Sequence, residues 1–174
     1  HYSAPSRVAG AREHAVPLVV LAQALGGGAT GRLYRALVLD GGVASSAGAW
    51  YDDMSVDPSA FSLSASPKPG GDVAAVEAAL DRVIAAVLRD GVEPAELARA
   101  KRRLIAEAVY ARDSFYLASR TFGEALTAGL SIEEIESWPE RVQAVTAEQV
   151  NAAARHVFDI GRSVTGVLLP KPAS

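Results

Sequence analysis

The chain has 174 residues, 49% hydrophobic and 21% charged, with a formal net charge of −3, an ordinary composition for a globular protein long enough to bury a core. It holds no Cys and only three His (His1, His14 and His156), which excludes a disulfide framework, a thiolate metal site and a Cys nucleophile, and leaves almost no means of building a local His-based zinc site. There is no long run of one charge sign and no apolar stretch near the ~18 residues that cross a bilayer, so neither nucleic acid nor a membrane is expected as a partner.

In chain order, residues 1–4 read as a strand. Leu18, Val19, Leu21, Ala22 and Leu25 make a short apolar helix, with Pro17 tolerated in its first turn and Gly26-Gly27-Gly28 ending it. A second helix follows, with Thr30 as its N-cap and Leu33, Leu37 and Val38 on one face, until Gly41-Gly42 stops it. Residues 43–51 are rich in small side chains and read as a strand. Over 60–66, Phe61, Leu63 and Ala65 alternate with Ser62, Ser64 and Ser66, a period-2 strand with an apolar and a hydroxyl face. The link over 52–58 makes these two strands an antiparallel hairpin, and Pro67, Pro69, Gly70 and Gly71 end the pattern.

The second half is helical. Val73, Val76, Leu80, Val83, Ile84, Val87 and Leu88 recur at helical spacing up to Asp90-Gly91. Glu93-Pro94 opens the next helix, which carries Leu97, Leu104, Ile105, Ala108 and Val109. Arg99, Lys101, Arg102 and Arg103 decorate its outer side, where Glu96 and Glu107 are placed to pair with Arg99 and Arg103. The helical pattern continues through Tyr116, Leu117, Phe122 and Leu126 to near Gly129. Residues 131–145 read as one or two short helices with a break at Pro139. Thr146-Ala147-Glu148-Gln149 is a capping-box start for a helix over 150–158. Residues 162–169 read as a last strand, and 170–172 as a frayed tail. This order predicts an α+β fold: a two-layer domain over residues 1–174, with helices packed on one face of an antiparallel sheet.

Few local patterns carry chemistry. Gly10-Ala11-Arg12-Glu13-His14 has the spacing of the inverted zincin motif H-x-x-E-H, but Gly10 stands where the first imidazole is required. His14 is then an ordinary helix-start residue, and His156, near a helix C-terminus, serves the helix dipole or the surface. A two-His site from His14 and His156 has no support in spacing. The run Gly26 to Gly31 lacks the Lys-Ser/Thr ending of a P-loop and follows a helix, so it reads as a tight helix–helix turn and not a phosphate cradle. No Ser sits in G-x-S-x-G. Neither catalytic nor metal-ligating residues are assigned in this chain.

The run Leu25-Gly26-Gly27-Gly28-Ala29-Thr30-Gly31-Arg32-Leu33-Tyr34-Arg35-Ala36-Leu37, followed by Gly42-Val43-Ala44, resembles the LGGG-x-x-SRLYRALRE-x-x-GLAY block of the insulinase/pitrilysin-type zinc peptidases, peptidase family M16. The likeness is to their carboxy-terminal, inactive domain. An opening Tyr2 to Ser6 strand (Y-x-A-P-S), the stretch from Gly91 to Lys101, Val145 to Val150 and a closing strand followed by Pro appear in the same order.

The resemblance implies that two α+β domains of similar topology form a clam-shell. The amino-terminal one carries H-x-x-E-H and zinc, with the motif's Glu as general base. The carboxy-terminal one closes the chamber and holds the peptide substrate. This chain is then expected to carry no cofactor itself, zinc belonging to the amino-terminal domain of the parent. Its partner is expected to be that domain, in the same chain or in a partner subunit, with a homodimer as a further arrangement. A second expectation is a zinc-free subunit or scaffold domain that pairs with a separate catalytic chain. By alignment through L-Y-R-A-L, the Arg and Tyr with which the family meets the cleaved bond fall at Val38 and Ser45, so neither role carries over. Arg32, Tyr34 and Arg35 match the motif and are the candidate substrate-binding residues, with packing and ion pairing around the Gly loop as their other task. The Ala-rich composition (34 Ala) and the excess of Arg over Lys fit a GC-rich bacterial source, with cytoplasm and periplasm both open.

Overall fold

Alternation in the hairpin builds the sheet. In the computed structural model, which describes residues 1–169, β2 (Ala44–Tyr51) and β3 (Ser59–Pro67) pair antiparallel, with Tyr51 opposite Phe61 and Ala47 opposite Ala65. The short β1 (Tyr2–Ala4) pairs antiparallel with the other edge of β3, so the strand order is β1-β3-β2. Phe61 is fully buried, while Leu63 and Ala65 pack against the core from the same face. Ser64 and Ser66, on the opposite face, are exposed. The Phe61 ring meets Phe158 edge-on at 5.3 Å, and Tyr2 meets Phe158 edge-on at 5.2 Å, a geometry that favours aromatic contacts. The Tyr51 hydroxyl donates to the Pro5 carbonyl at 2.6 Å, which keeps this buried polar group satisfied.

The apolar face of the sheet is covered by helices, as the α+β reading expects. A 3₁₀ turn at Arg12–His14 leads into α1 (Ala15–Gly26), nine of whose twelve residues are buried. α1 lies against β2, against α4 (Pro94–Arg112) and against α8 (Ala147–Val157). Its end approaches the sheet so closely that a Cβ on Gly26 would stand 2.1 Å from the Ala49 nitrogen, so only glycine fits there.

After a 3₁₀ turn at Gly28–Thr30, α2 (Arg32–Tyr34) runs directly into a π-helical turn, Arg35–Asp40. The N-cap of α2 is Gly31, with extended backbone, and not Thr30. The Thr30 hydroxyl turns back to the Gly27 carbonyl instead, at 3.5 Å.

Helix starts follow the sequence signals closely. α3 (Val73–Asp90) begins at Asp72, whose side chain accepts from the Ala74 N–H at 3.1 Å, and ends at Gly91 with φ 78°. α4 opens with a Glu93/Glu96 capping box and Pro94 in its first turn, and α8 with a Thr146/Gln149 box. The long helical pattern after Pro94, however, is two helices. The chain breaks at Asp113-Ser114 and resumes as α5 (Phe115–Thr127), because the Ser114 side chain caps the new helix by accepting from the Leu117 N–H at 3.3 Å. Residues 131–145 give α6 (Ile132–Glu136) and α7 (Trp138–Ala144), with Pro139 just inside α7.

The expected last strand over 162–169 forms only its first step. Ser163 bridges Tyr2, and Val164 exchanges backbone hydrogen bonds with His1. Residues 165–169 have no backbone partner among the described residues and are irregular. The tail expected over 170–172 lies outside the described residues.

Candidate functional site

The motif-bearing segment sits where the C-terminus of α1 meets the start of α2. Arg32 is the first residue of α2 and turns towards α4. Its Nε donates to Glu96 Oε1 at 3.0 Å, and its Nη2 contacts Glu96 Oε2 and donates to the Gly91 carbonyl at 3.1 Å. This fork-to-fork pair ties the Gly loop to the α3–α4 turn. Burial pushes the Glu96 carboxyl up, but the hydrogen bonds from Arg32 and from the Glu93 N–H, with the guanidinium charge, outweigh it and hold the group below the ordinary carboxylate range. Arg103 completes the junction: its Nη1 donates to the Gly27 carbonyl at 2.8 Å and its Nε to Glu107 at 2.9 Å. The expected Arg103–Glu107 pair is present, while Glu96 pairs across the fold with Arg32 and not with Arg99. Short-range spacing cannot reveal that exchange, because the partners are 64 residues apart.

Tyr34 and Arg35 follow on the same turn. Tyr34 is half-buried, and Arg35 is exposed and makes no ion pair among the described residues. Arg35 opens the π-helical turn, an irregularity often found at functional sites. Val38, in the same turn, packs partly against the core. Ser45 is the extra residue of a bulge in β2, and its hydroxyl donates to the Ser66 and Pro67 carbonyls, each at 3.2 Å. Of the three candidate residues, Arg32 is thus held by the fold, and Arg35 presents a cation to solvent beside the edge of the sheet.

Two further constellations are made by the tertiary structure. His14 and His156, remote in sequence, lie with ring centroids 4.7 Å apart. Burial, the neighbouring His14 and Arg162 lower the His156 pKa, and Glu13 opposes them. Among the described residues no group of three His, Cys, Asp or Glu side chains is placed to hold a metal ion. Two imidazoles leave a tetrahedral zinc shell half-filled, so these residues do not fit a zinc centre. Sequence reasoning missed the second constellation altogether: Arg7 forms a buried ion pair with Asp53 and lies 4.4 Å from the Trp138 ring centroid. Beside it, an open cleft of about 490 Å³ runs between the β2–β3 turn and α5, bounded by Trp50, Asp52, Met54, Val56, Arg120 and Glu124.

Comparison with known proteins follows the same line. Residues 7–104 match the family model described as the peptidase M16 inactive domain. Proteins called zinc proteases in Mycobacterium bovis and Mycobacterium tuberculosis are 35% identical over 159 residues, covering 88% of this chain and 35% of their own length. The chain therefore spans about a third of the length of the curated relatives it matches. Among solved structures, the inactive peptidase domain from Bordetella parapertussis superposes with a TM-score of 0.84 at 21% identity, covering 99% of this chain and 90% of that one. A protease from Helicobacter pylori gives 0.83 at 19% identity, covering 92% of this chain and 38% of that one. These two likenesses establish the fold, and the match over 7–104 establishes the kinship: the chain belongs to the peptidase M16 inactive-domain family.

Proposed function

We propose that this chain is one domain of a longer protein, the non-catalytic carboxy-terminal half of a zinc peptidase that closes the chamber and positions the peptide. The observation that carries the reading is the match to the inactive-domain model over the segment that holds the Gly loop and Arg32–Arg35. Relatives called zinc proteases are about two and a half times as long, which leaves room for a separate zinc-bearing domain. That domain, or a partner subunit carrying it, is the proposed partner. Within this half, Arg35 is the residue proposed to meet the peptide, its guanidinium donating to a carbonyl or carboxylate of an extended substrate. Tyr34 lends its ring to the same surface, and Arg32 holds the turn in place.

The test is peptide hydrolysis by the full-length protein. Arg35→Ala is expected to raise KM about tenfold with kcat little changed, the scale of one lost charge-assisted hydrogen bond. Unchanged kinetics would remove Arg35 from the substrate path. A zinc-free subunit serving a separate catalytic chain is the second reading. It is favoured by Val38 and Ser45, which stand where the family meets the cleaved bond with Arg and Tyr. An intact H-x-x-E-H in the rest of the protein would decide against it.

A further inference from the structure

The 3₁₀ turn at Arg12–His14 packs against α8, yet none of its three residues is buried. Among the described residues, no hydrogen bond or ion pair joins residues 10–14 to residues 155–164. The ring pair His14–His156 spans this seam, with centroids 4.7 Å apart and planes inclined at 36°. Both side chains are half-buried. A segment attached by so few polar contacts opens at far lower cost than the core.

Each ring stands where a positive charge is poorly received. His14 is the N-cap of α1, and the free N–H groups of a helix start repel a cation. His156 lies in the last turn of α8, a place that ordinarily favours a cation. Arg162 already fills that role, because its Nη2 donates to the His156 carbonyl. Burial, His14 and Arg162 hold the His156 ring below its ordinary value, against Glu13 alone. The other charges on the packed elements do not relieve the pair. Arg12 and Arg155 add positive charge beside it, and Asp159 is engaged by Arg162 Nε at 3.1 Å. α1 carries no charged side chain. β1 brings only Tyr2, on whose hydroxyl Asp81 of α3 acts.

We propose that the His14–His156 contact is an acid-sensitive latch: neutral rings hold the Arg12–His14 turn against α8, and protonation of both rings opens this seam while the core around α1 stays folded. One proton on the pair leaves an imidazolium against a neutral ring. The second sets two like charges in contact, so the rings titrate as a pair and not singly. Opening stays local because the α1 core, with Leu18, Val20 and Leu21 at 0% exposure, offers the proton no site. Both segments that flank β1 are released: residues 10–14 on one side, and on the other the 3₁₀ turn at Ile160–Arg162, which leads into the Ser163 bridge to Tyr2.

Amide hydrogen exchange on the full-length protein, compared at about pH 7.5 and about pH 5 and corrected for the intrinsic pH dependence of exchange, tests the latch. Acidification is expected to lower protection of residues 12–15 and 160–164 at least about tenfold and to leave that of residues 18–25 in α1 unchanged. His156→Gln is expected to keep the neutral pattern at both pH values. His14→Arg combined with His156→Arg, two fixed cations, is expected to show the acid pattern already at about pH 7.5. An acid loss that is absent, that survives His156→Gln or that spreads equally through residues 18–25 would overturn the proposal. So would a double-arginine variant that keeps the seam protected at neutral pH. Loosening of His156→Gln at both pH values would overturn it as well, because the packing of the ring and not its charge would then hold the seam.

Discussion

α1 and α5 are nearly equal in length and both rich in apolar residues, yet they end in opposite environments. Nine of the twelve residues of α1 are buried, among them Leu18, Val20 and Leu21 at 0% exposure, while α5 buries only Ala125 of its thirteen. Phe115, Tyr116 and Leu117 at the start of α5 stand 95%, 72% and 43% exposed. The reason lies in their neighbours. α1 is enclosed by β2, α4 and α8, whereas α5 extends from the elbow at Ser114 and meets chiefly α4 and α6. An apolar helix is therefore buried by what surrounds it and not by its composition. Phe115 and Tyr116 thus stand as a pair of exposed aromatics at one elbow.

The largest effect separating the two helices is expected from cavity formation. Leu21→Ala should cost about 2–5 kcal/mol in urea denaturation, because the site is enclosed on every side. A loss below about 1 kcal/mol would show that α1 is not the centre of the core. Next comes the tie between the α1–α2 loop and α4. Arg32→Ala should cost about 1–2 kcal/mol at neutral pH, modest because the pair is partly exposed.

The same variant carries a pH signature. Glu96 is held below its ordinary value of 4.5 in the fold, so its stabilisation is present above about that pH and is lost as pH falls through the folded value. Arg32→Ala should therefore flatten the acid limb of the stability profile, and an unchanged limb would exclude the pair as its source.

A smaller effect is expected where α8 meets the start of α1. The folded His156 pKa lies below 6.5, so the unfolded chain binds this proton more readily. Stability should then decline as pH falls from about 6.5 towards the folded value, and level off below it. His156→Gln should remove that decline and leave stability above pH 7 nearly unchanged. An identical profile for the variant would show that burial, with His14 and Arg162 beside it, does not disfavour the charged His156 ring. The smallest effect is expected from Phe115→Ala on this chain, within about 0.5 kcal/mol of no change. In the full-length protein the same substitution sharpens the comparison: a cost above about 2 kcal/mol there would show that a partner domain covers the α5 elbow.

Local signals were legible wherever a few adjacent residues suffice. The alternation of Phe61, Leu63 and Ala65 with serines placed β3, and the helical spacing from Val73 to Leu88 placed α3. Glu93-Pro94 and the capping box at Thr146 marked the starts of α4 and α8. Such features need no distant partner. The run after Pro94 was misleading because apolar spacing alone does not register a cap. Ser114 stops one helix and starts another with a single side-chain hydrogen bond.

The candidate site was half-legible. The Gly loop and Arg32, Tyr34 and Arg35 stand out as a motif. That Arg32 is held by Glu96, that Ser45 bulges out of β2, and that Gly26 touches the backbone at Ala49 are long-range facts.

By itself, then, the sequence determined the two-layer α+β class, the helix boundaries that carry their own caps, and membership of an inactive-domain family through an ordered set of motifs. The tertiary structure alone decided which charges meet: Arg32 with Glu96, Arg7 with Asp53, His14 with His156. It also decided that the expected strand over 162–169 forms only its first step, at Ser163 and Val164. The physical reason is common to all of these. A cap or an apolar period is satisfied within one turn of chain, whereas an ion pair or a strand edge is satisfied only by whatever the fold brings opposite it.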